Sequence, residues 1–280
     1  MQNAELAVEV YGQNHSPWVQ AVLLGLHDRR IKHHVRTATP PALFLKSGVM
    51  MPAASFDGEP WQLESKDILH RLGYDEVSDE DMKQIRLAWQ GVLHRVDVWP
   101  RFWGEFSVAS DPDRNPLTRF LKNFFRSFAT FYFFLLINFA RLMGQGVKLE
   151  NFGDQYLDWE ERFSKLSGPY LGGDDPSAVD LLLFGVVQCH SSIPVPPLTA
   201  LQRDPRLVET RQWIGRMQTR FSDYSSLYSG VYFEPHSPAP RLASGIDQLA
   251  FWLGAIFMVS LFWITVHLAV ILAVRNQRLR

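Results

Sequence analysis

From Leu249 to Val274 the chain reads "LAFWLGAIFMVSLFWITVHLAVILAV", 26 residues without an Asp, Glu, Lys or Arg. About 20 apolar residues carry a helix across the hydrocarbon core of a bilayer. Core helices of soluble domains seldom run this long without a charge, so the segment predicts one membrane-spanning helix over residues 247–275. Its flanks agree. "EPHSPAPRLASG" lies in a Pro/Ser/Gly-rich linker, residues 229–246, and "RNQRLR" leaves a basic tail, residues 276–280. Trp252 suits the headgroup belt, whereas Trp263 lies deeper. His267 is an ionisable group inside the span, and the expectation there is a neutral ring bonded to a backbone carbonyl or facing a partner helix. The lipid bilayer, met through residues 249–274, is thus the first partner the sequence names.

The remainder reads as a folded chain. Of the 280 residues, 46% are hydrophobic and 20% charged, enough for one or two domains with a sizeable core. With 28 Lys+Arg against 29 Asp+Glu there is no basic footprint, so nucleic acid is not an expected partner. The single cysteine, Cys189, rules out an intramolecular disulfide framework and a multi-cysteine zinc site, and reads as a buried filler at a helix end. "MQNAELAVEVYG" is no secretory signal, so the large domain is expected to stay in the cytoplasm. Arg275, Arg278 and Arg280 after the span argue instead for a cytoplasmic tail. The first argument prevails, because a C-terminal span emerges only after the domain is made.

From Glu5 to Tyr74 short elements alternate. "LAVEVYG" is a strand, "SPWVQAVLLGLHD" a helix, "IKHHVRT" a strand and "PPALFLKS" a short helix or irregular segment. "MMPAASFD" and "PWQLE" are strands joined by the turn pair Asp57-Gly58, and "SKDILHRLGY" is a helix ending at Gly73. From Ser78 onward the spacing is helical: "DEDMKQIRLAWQGVLHRVDVW", "PLTRFLKNFFRSFATFYFFLLINFARLMG", "NFGDQYLDWEERFSKLSG", "SAVDLLLFGVVQCH" and "PRLVETRQWIGRMQTRF". A small α/β domain, residues 1–76, therefore leads into an all-α domain, residues 77–228. His33 and His34 share a strand, point to opposite faces and cannot chelate one metal together. No metal site is expected.

Two short stretches carry candidate chemistry. Ser16-Pro17 opens a helix after a strand, with serine as N-cap and proline at the first helical position. Ser16 is either a cap alone or a hydroxyl that also holds a thiolate or phosphate at the positive end of the helix. Ser177 and Asp180 have capping-box spacing, with aspartate in place of the usual glutamate, and their role is folding.

The element order and its joints resemble the glutathione transferase superfamily over roughly Glu5 to Asp223. "YGQNHSPWVQAV" is similar to the family's strand-turn-helix that presents Ser, Cys or Tyr to the glutathione sulfur. "VMMPAASFDG" offers Met51-Pro52 where the family has a cis proline before its third strand. "QLESKDIL" offers the Glu64-Ser65 pair that opens the third helix, and "GPYLGGDDPSAVDLLLF" matches the capped helix of the C-terminal domain. The resemblance implies a thioredoxin-like domain followed by an all-α domain, with glutathione as co-substrate. Ser16 would serve the sulfur and the Met51 backbone, freed by a cis Pro52, would pair with the cysteinyl part. Glu64 and Ser65 would hold the γ-glutamyl end. Lys46 is either a solvated lysine or the partner of the glycyl carboxylate. Ser16 in place of cysteine disfavours thiol-disulfide exchange, since serine forms no mixed disulfide.

The implied activity is conjugation of glutathione to apolar electrophiles drawn from the membrane, or their reduction with it, in the cleft between the domains. The alternative is a non-catalytic adaptor or accessory subunit of a membrane complex, which Met51 in place of an aliphatic residue and the aromatic segment keep open. The resemblance leaves room for a homodimer or a membrane-complex partner. The aromatic segment 124–140 has about 14 apolar residues after Arg126, too few to span, and is expected as a buried helix; the other reading rests one face on the bilayer or lines a greasy cleft.

Overall fold

The computed structural model describes residues 7–47, 50–90, 115–118, 120, 121, 124, 151–192, 196–236, 245–261, 263, 264, 267, 270, 271 and 274. Four strands, β1 (Val8–Tyr11), β2 (His33–Arg36), β3 (Ala53–Phe56) and β4 (Gln62–Leu63), form a sheet in the order β2-β1-β3-β4. β1 runs parallel to β2 and antiparallel to β3, and β4 pairs antiparallel with β3. Parallel pairing of β1 and β2 requires a crossover, which α1 (Pro17–Asp28) supplies. α2 (Pro41–Ser47) and α3 (Ser65–Arg71) complete the α/β unit. β3 is buried along its whole length, whereas β2, carrying His33 and His34, is an exposed edge. After β3, Asp57 and Gly58 both take positive φ, 52° and 78°, so the expected turn is a tight reversal of the kind Asp-Gly favours. This is the thioredoxin-like topology.

The helical domain contains α4 (Asp79–Gln90), α5 (Leu157–Ser164), α6 (Ala178–Ser192), α7 (Pro196–Arg203) and α8 (Val208–Arg220). Of these, α7 corresponds to none of the helical stretches read from the sequence, because the prolines of "PVPPLTA" interrupt helical periodicity. Pro196 and Pro197 stand in the first turn, where a missing N–H breaks no helical bond. α6 is the central element and packs chiefly along α1. The approach is close: a Cβ at Gly185 would lie 2.3 Å from the Pro17 carbonyl oxygen. At the far end of α1, the Arg220 guanidinium meets Asp28 at 2.9 Å, and the Tyr74 hydroxyl donates to the same carboxylate at 2.7 Å. The two domains therefore share one core and one polar clasp. A 3-10 turn at Tyr228–Val231 buries Ser229 against Gln188, which keeps the chain on the helical domain through Phe233.

Helix α9 (Gly245–Ser260) begins the apolar segment. Among the described residues no single helix is long and apolar enough to cross a membrane. Ile246, Leu249, Leu253, Ile256, Phe257 and Val259 are exposed on α9, while Ala250, Gly254 and Ala255 are buried. On this helix Ser260 Oγ donates to the Ile256 carbonyl at 2.9 Å, and beyond it His267 Nδ1 donates to the Trp263 carbonyl. Of the linker read over residues 229–246, residues 237–244 lie outside the described residues, as do the basic tail 276–280 and all of the aromatic segment beyond Phe124.

Candidate functional site

Strand register assembles the site. Tyr11 pairs with Ala53 and Ala53 with Leu63, so the end of β1, the start of β3 and the end of β4 form one rung of the sheet. The Ser16 loop leaves from Tyr11, Met51-Pro52 leads into Ala53, and Glu64-Ser65 follows Leu63. These five predicted residues thus converge on one edge, although up to 49 positions separate Ser16 from Ser65. Neighbouring strands lie about 4.8 Å apart, so the outer two members of the rung are about 10 Å from each other.

Ser16 is the N-cap of α1, with extended backbone (φ −74°, ψ 127°) and Pro17 at the first helical position. Its carbonyl accepts the first helical bond from Gln20 N at 2.9 Å, but its Oγ accepts from Val19 N only at 3.5 Å. The cap bond is therefore at the outer limit of length. The Ser16 hydroxyl proton has no acceptor among the described residues. Tyr11, on the same rung, is not its rival: Thr39 Oγ1 donates to the phenol oxygen at 2.6 Å, and burial pushes the phenol pKa up.

The Met51-Pro52 peptide bond is cis. The Met51 side chain packs on Tyr11, Leu43 and Ala53, filling the space beside the rung. Glu64 caps α3 through its backbone alone, at φ 70° and ψ 118°. A non-glycine residue held there is strained by about 1–3 kcal/mol. Ser65 is buried, and its hydroxyl has no hydrogen-bond partner among the described residues. Lys46 sits exposed in the last turn of α2, three residues beyond Leu43.

The helical domain closes one side. His15 Nδ1 meets Ser192 Oγ, at the end of α6, at 3.3 Å, and the His15 ring stacks on Tyr228 at 6.2 Å. Trp18, in the first turn of α1, lies 6.0 Å from Trp89 of α4. Sequence reasoning passed over His15, Trp18 and Trp89. The first two flank Ser16-Pro17 and were legible by adjacency; Trp89 carries no sequence signal that points it here. Residues 125–140 of the aromatic segment, over which the electrophile would sit, lie outside the described residues.

Other candidates resolve as structure. Asp180 is fully buried and accepts from the N–H groups of Leu171, Gly172 and Ser177, from Ser177 Oγ, and from Trp213 Nε1 at 2.9 Å. Ser177 Oγ in turn accepts from Asp180 N at 3.3 Å, completing the capping box. Cys189 is buried in α6, and burial pushes its thiol up to about 12, so it carries no thiolate at neutral pH. A separate cavity of about 500 Å³, lined by Gln62, Lys66, Asp67, His70, Arg71 and Val77, runs along α3 and includes none of the predicted site residues. Among the described residues no three His, Cys, Asp or Glu side chains converge as metal ligands would.

No protein family and no curated protein sequence matches the chain. Among solved structures it is similar to glutaredoxin 2 from Salmonella typhimurium in complex with glutathione, at 15% identity and TM-score 0.47, covering 79% of this chain and 97% of that one. It is also similar to the theta class glutathione S-transferase of the citrus canker pathogen Xanthomonas axonopodis pv. citri with glutathione bound, at 14% identity and TM-score 0.42, covering 79% and 95%. Human glutathione S-transferase T1-1 in its apo form matches at 15% identity and TM-score 0.46, covering 90% of this chain and 99% of that one. Likenesses this distant add nothing to the topology and register above.

Proposed function

We propose that the chain is a membrane-anchored, glutathione transferase-like enzyme that conjugates glutathione to apolar electrophiles or reduces them with it. The observation that supports the reading is the Tyr11–Ala53–Leu63 rung, from whose members the Ser16 loop, the cis Met51-Pro52 bond and the Glu64-Ser65 pair all lead off at the same end of the sheet. An extended tripeptide is about 10 Å long, which matches the width of that rung. Laid along it, glutathione places its γ-glutamyl end at Glu64 and Ser65, its backbone on Met51, and its sulfur at Ser16.

The chemistry asked of Ser16 is modest and specific. A free thiol ionises near pH 8.5, and each unit by which the site lowers that value is about 1.4 kcal/mol of preference for the thiolate. The Ser16 hydroxyl donates to the sulfur, and the positive end of α1 lies behind it. The Glu64 carboxylate takes the ammonium of the γ-glutamyl group, and the Ser65 hydroxyl takes its carboxylate. Lys46 is within the same α2 turn that packs beside the rung and serves the glycyl carboxylate.

The exposed apolar residues of α9, and the return of Ser260 and His267 onto their own helix carbonyls, support a lipid-facing span over residues 249–274. With the large domain in the cytoplasm, the enzyme meets substrates that partition into the bilayer. Thiolate absorbance of bound glutathione against pH tests the site. Wild type should titrate well below the free thiol, and Ser16→Ala and Ser16→Gly should both move the curve up. Superimposable curves would reduce Ser16 to a cap, and no thiolate in any of them would leave a tethered adaptor.

A further inference from the structure

We propose that Gln20 is a positioning residue of the glutathione site, and that together with Tyr224 of the helical domain it sets the loop that carries Ser16. The inference rests on the reading of Ser16 as the residue that serves the sulfur, and adds to it what holds that hydroxyl in place.

Gln20 stands out first by its location. It is the one polar side chain among the buried residues of α1, fully enclosed beside Val19, Ala21 and Val22. An apolar residue would fill that core without polar cost, whereas an enclosed amide destabilises unless it is bonded. Its bonds go to the Ser16 loop. Gln20 Nε2 donates to the Asn14 carbonyl at 2.7 Å, and Gln20 N donates to the Ser16 carbonyl at 2.9 Å. One residue therefore fixes a carbonyl on either side of His15. The same turn is closed by Ser16 N donating to the Gln13 carbonyl at 2.9 Å, and Gln13 Nε2 ties it to the Thr37 carbonyl beyond β2 at 3.1 Å.

The amide is itself held in one orientation. A carbonyl only accepts, so the NH2 group faces Asn14 and Oε1 faces the Tyr224 hydroxyl, which donates to it at 3.1 Å. Burial pushes the Tyr224 phenol pKa up, so it stays a donor well above neutral pH. Tyr224 follows α8, and the chain just beyond it is pinned to α6: Gln188 Nε2 donates to Ser229 Oγ at 2.7 Å and Ser229 N donates to Gln188 Oε1 at 3.1 Å. His15 meets the same stretch through the Tyr228 ring. The helical domain thus templates a loop that belongs to the α/β domain. Ser16 needs that support, because its own cap bond is 3.5 Å long and does little to hold the hydroxyl. A hydrogen bond to a thiolate serves only when its donor is held within about 0.5 Å of the productive place. Gln20 touches neither the sulfur nor the substrate and acts through Ser16.

The test reads the thiolate absorbance of glutathione bound to the full chain in detergent against pH, with urea midpoints beside it. Gln20→Met keeps the length of the side chain and deletes both amide bonds. Tyr224→Phe deletes one hydroxyl and keeps the ring beside His27 at 5.4 Å, so it carries the test if Gln20→Met does not fold. Each should raise the thiolate pKa by at least about 0.5 pH unit, a change of about threefold in the ionisation constant, and not beyond that of Ser16→Ala. In the Ser16→Ala background neither should move it further, since a residue acting through Ser16 has nothing left to act on. Wild-type titrations in both variants, beside a raised one in Ser16→Ala, would overturn the inference and leave the Ser16 reading standing, whatever stability was lost. Shifts that recur in full in the Ser16→Ala background would show a general loosening of the site and refute the inference as well. Bound glutathione that titrates in wild type as the free thiol, or Ser16→Ala without effect, would overturn the Ser16 reading and this inference with it.

Discussion

Asp180→Ala removes an acceptor shared by five donors from three stretches of chain: the Leu171 and Gly172 amides, the Ser177 amide and hydroxyl, and the Trp213 indole N–H. The helix-capping part of that loss is worth about 0.5–2 kcal/mol. Trp213 is fully buried, so its Nε1 finds no solvent, and leaving it unpaired costs about 1–3 kcal/mol more. The Leu171 and Gly172 amides lie in a half-exposed loop and regain water, so they add little. The expected loss is about 2–5 kcal/mol, a large share of the usual 5–15 kcal/mol of a folded domain. Urea unfolding of the full chain in detergent, followed by helical circular dichroism, measures it. Trp213→Phe keeps the ring stacked 4.8 Å from Phe163 while deleting the donor. In the Asp180→Ala background Trp213→Phe should therefore cost less than it does alone, by about 1–3 kcal/mol. Glutathione affinity of the folded fraction should stay unchanged. A loss under about 1 kcal/mol, or a strictly additive double variant, would refute the account of Asp180 as the hub of α6.

Glu64→Ala should weaken glutathione by about 1–3 kcal/mol through the lost charge-assisted contact. Glu64→Gly should weaken it equally while raising stability by about 1 kcal/mol, because glycine relieves the positive φ and gives back part of the gain in chain entropy; calorimetric titration and urea midpoints read the two effects apart. Burial holds the His190 imidazole down at about 4, against an ordinary 6.5, with the bond to the Ala88 carbonyl opposing the shift. The unfolded chain thus takes up a proton that the folded chain refuses, so stability falls as the pH drops from 6.5 toward 4, by about 3 kcal/mol at the lower end. His190→Leu should flatten that slope in urea midpoints taken against pH, and an unaltered slope would show that other groups carry it. Gly185→Ala should cost about 1–3 kcal/mol and weaken glutathione, since its new methyl meets the Pro17 backbone one residue from Ser16. Gly215→Ala on α8, with open space at that position, should instead gain about 0.5–1 kcal/mol in the same assay.

The α/β unit was legible because its signals are local. Ser16-Pro17, Asp57-Gly58 and Gly73 are caps and turns whose chemistry acts within a few residues, and each stands where the sequence implied. The same locality explains the omissions. Helix α7 hid behind prolines that interrupt periodicity although they suit a first turn. The Glu160 carboxylate of α5 caps α8, accepting from Glu209 N at 2.7 Å and from Thr210 N at 2.8 Å, across 49 and 50 positions for which no spacing rule exists. For Asp180 the three-residue interval to Ser177 announced the capping box, but not Trp213, which arrives only when α8 folds against α6. The site divides in the same way: each member was nameable from its own neighbours, whereas the Tyr11–Ala53–Leu63 rung that unites them is a property of register.

What separates an active site from a fold motif here is convergence, not the mere presence of an unpaired polar group. In the helical domain both side-chain polar atoms of Gln155, the indole nitrogens of Trp89 and Trp159, and His190 Nδ1 are buried without partners, and none of them stands at the rung. By contrast Asp180 and Glu160 are bonded at every turn and build only structure. At the rung edge several departures coincide: a cap bond stretched to 3.5 Å at Ser16, a positive φ at Glu64, and, at the buried residue Ser65, a hydroxyl with no hydrogen bond among the described residues. Neither of the first two improves the fold, since a closer cap and a glycine would each serve it better. A tripeptide with an ammonium, carboxylates and a thiol relieves the two unpaired hydroxyls and employs the strained glutamate. That coincidence favours retained glutathione chemistry over a tethered adaptor, which needs the domain core, α6 with its cap and the span, but nothing at the end of β4.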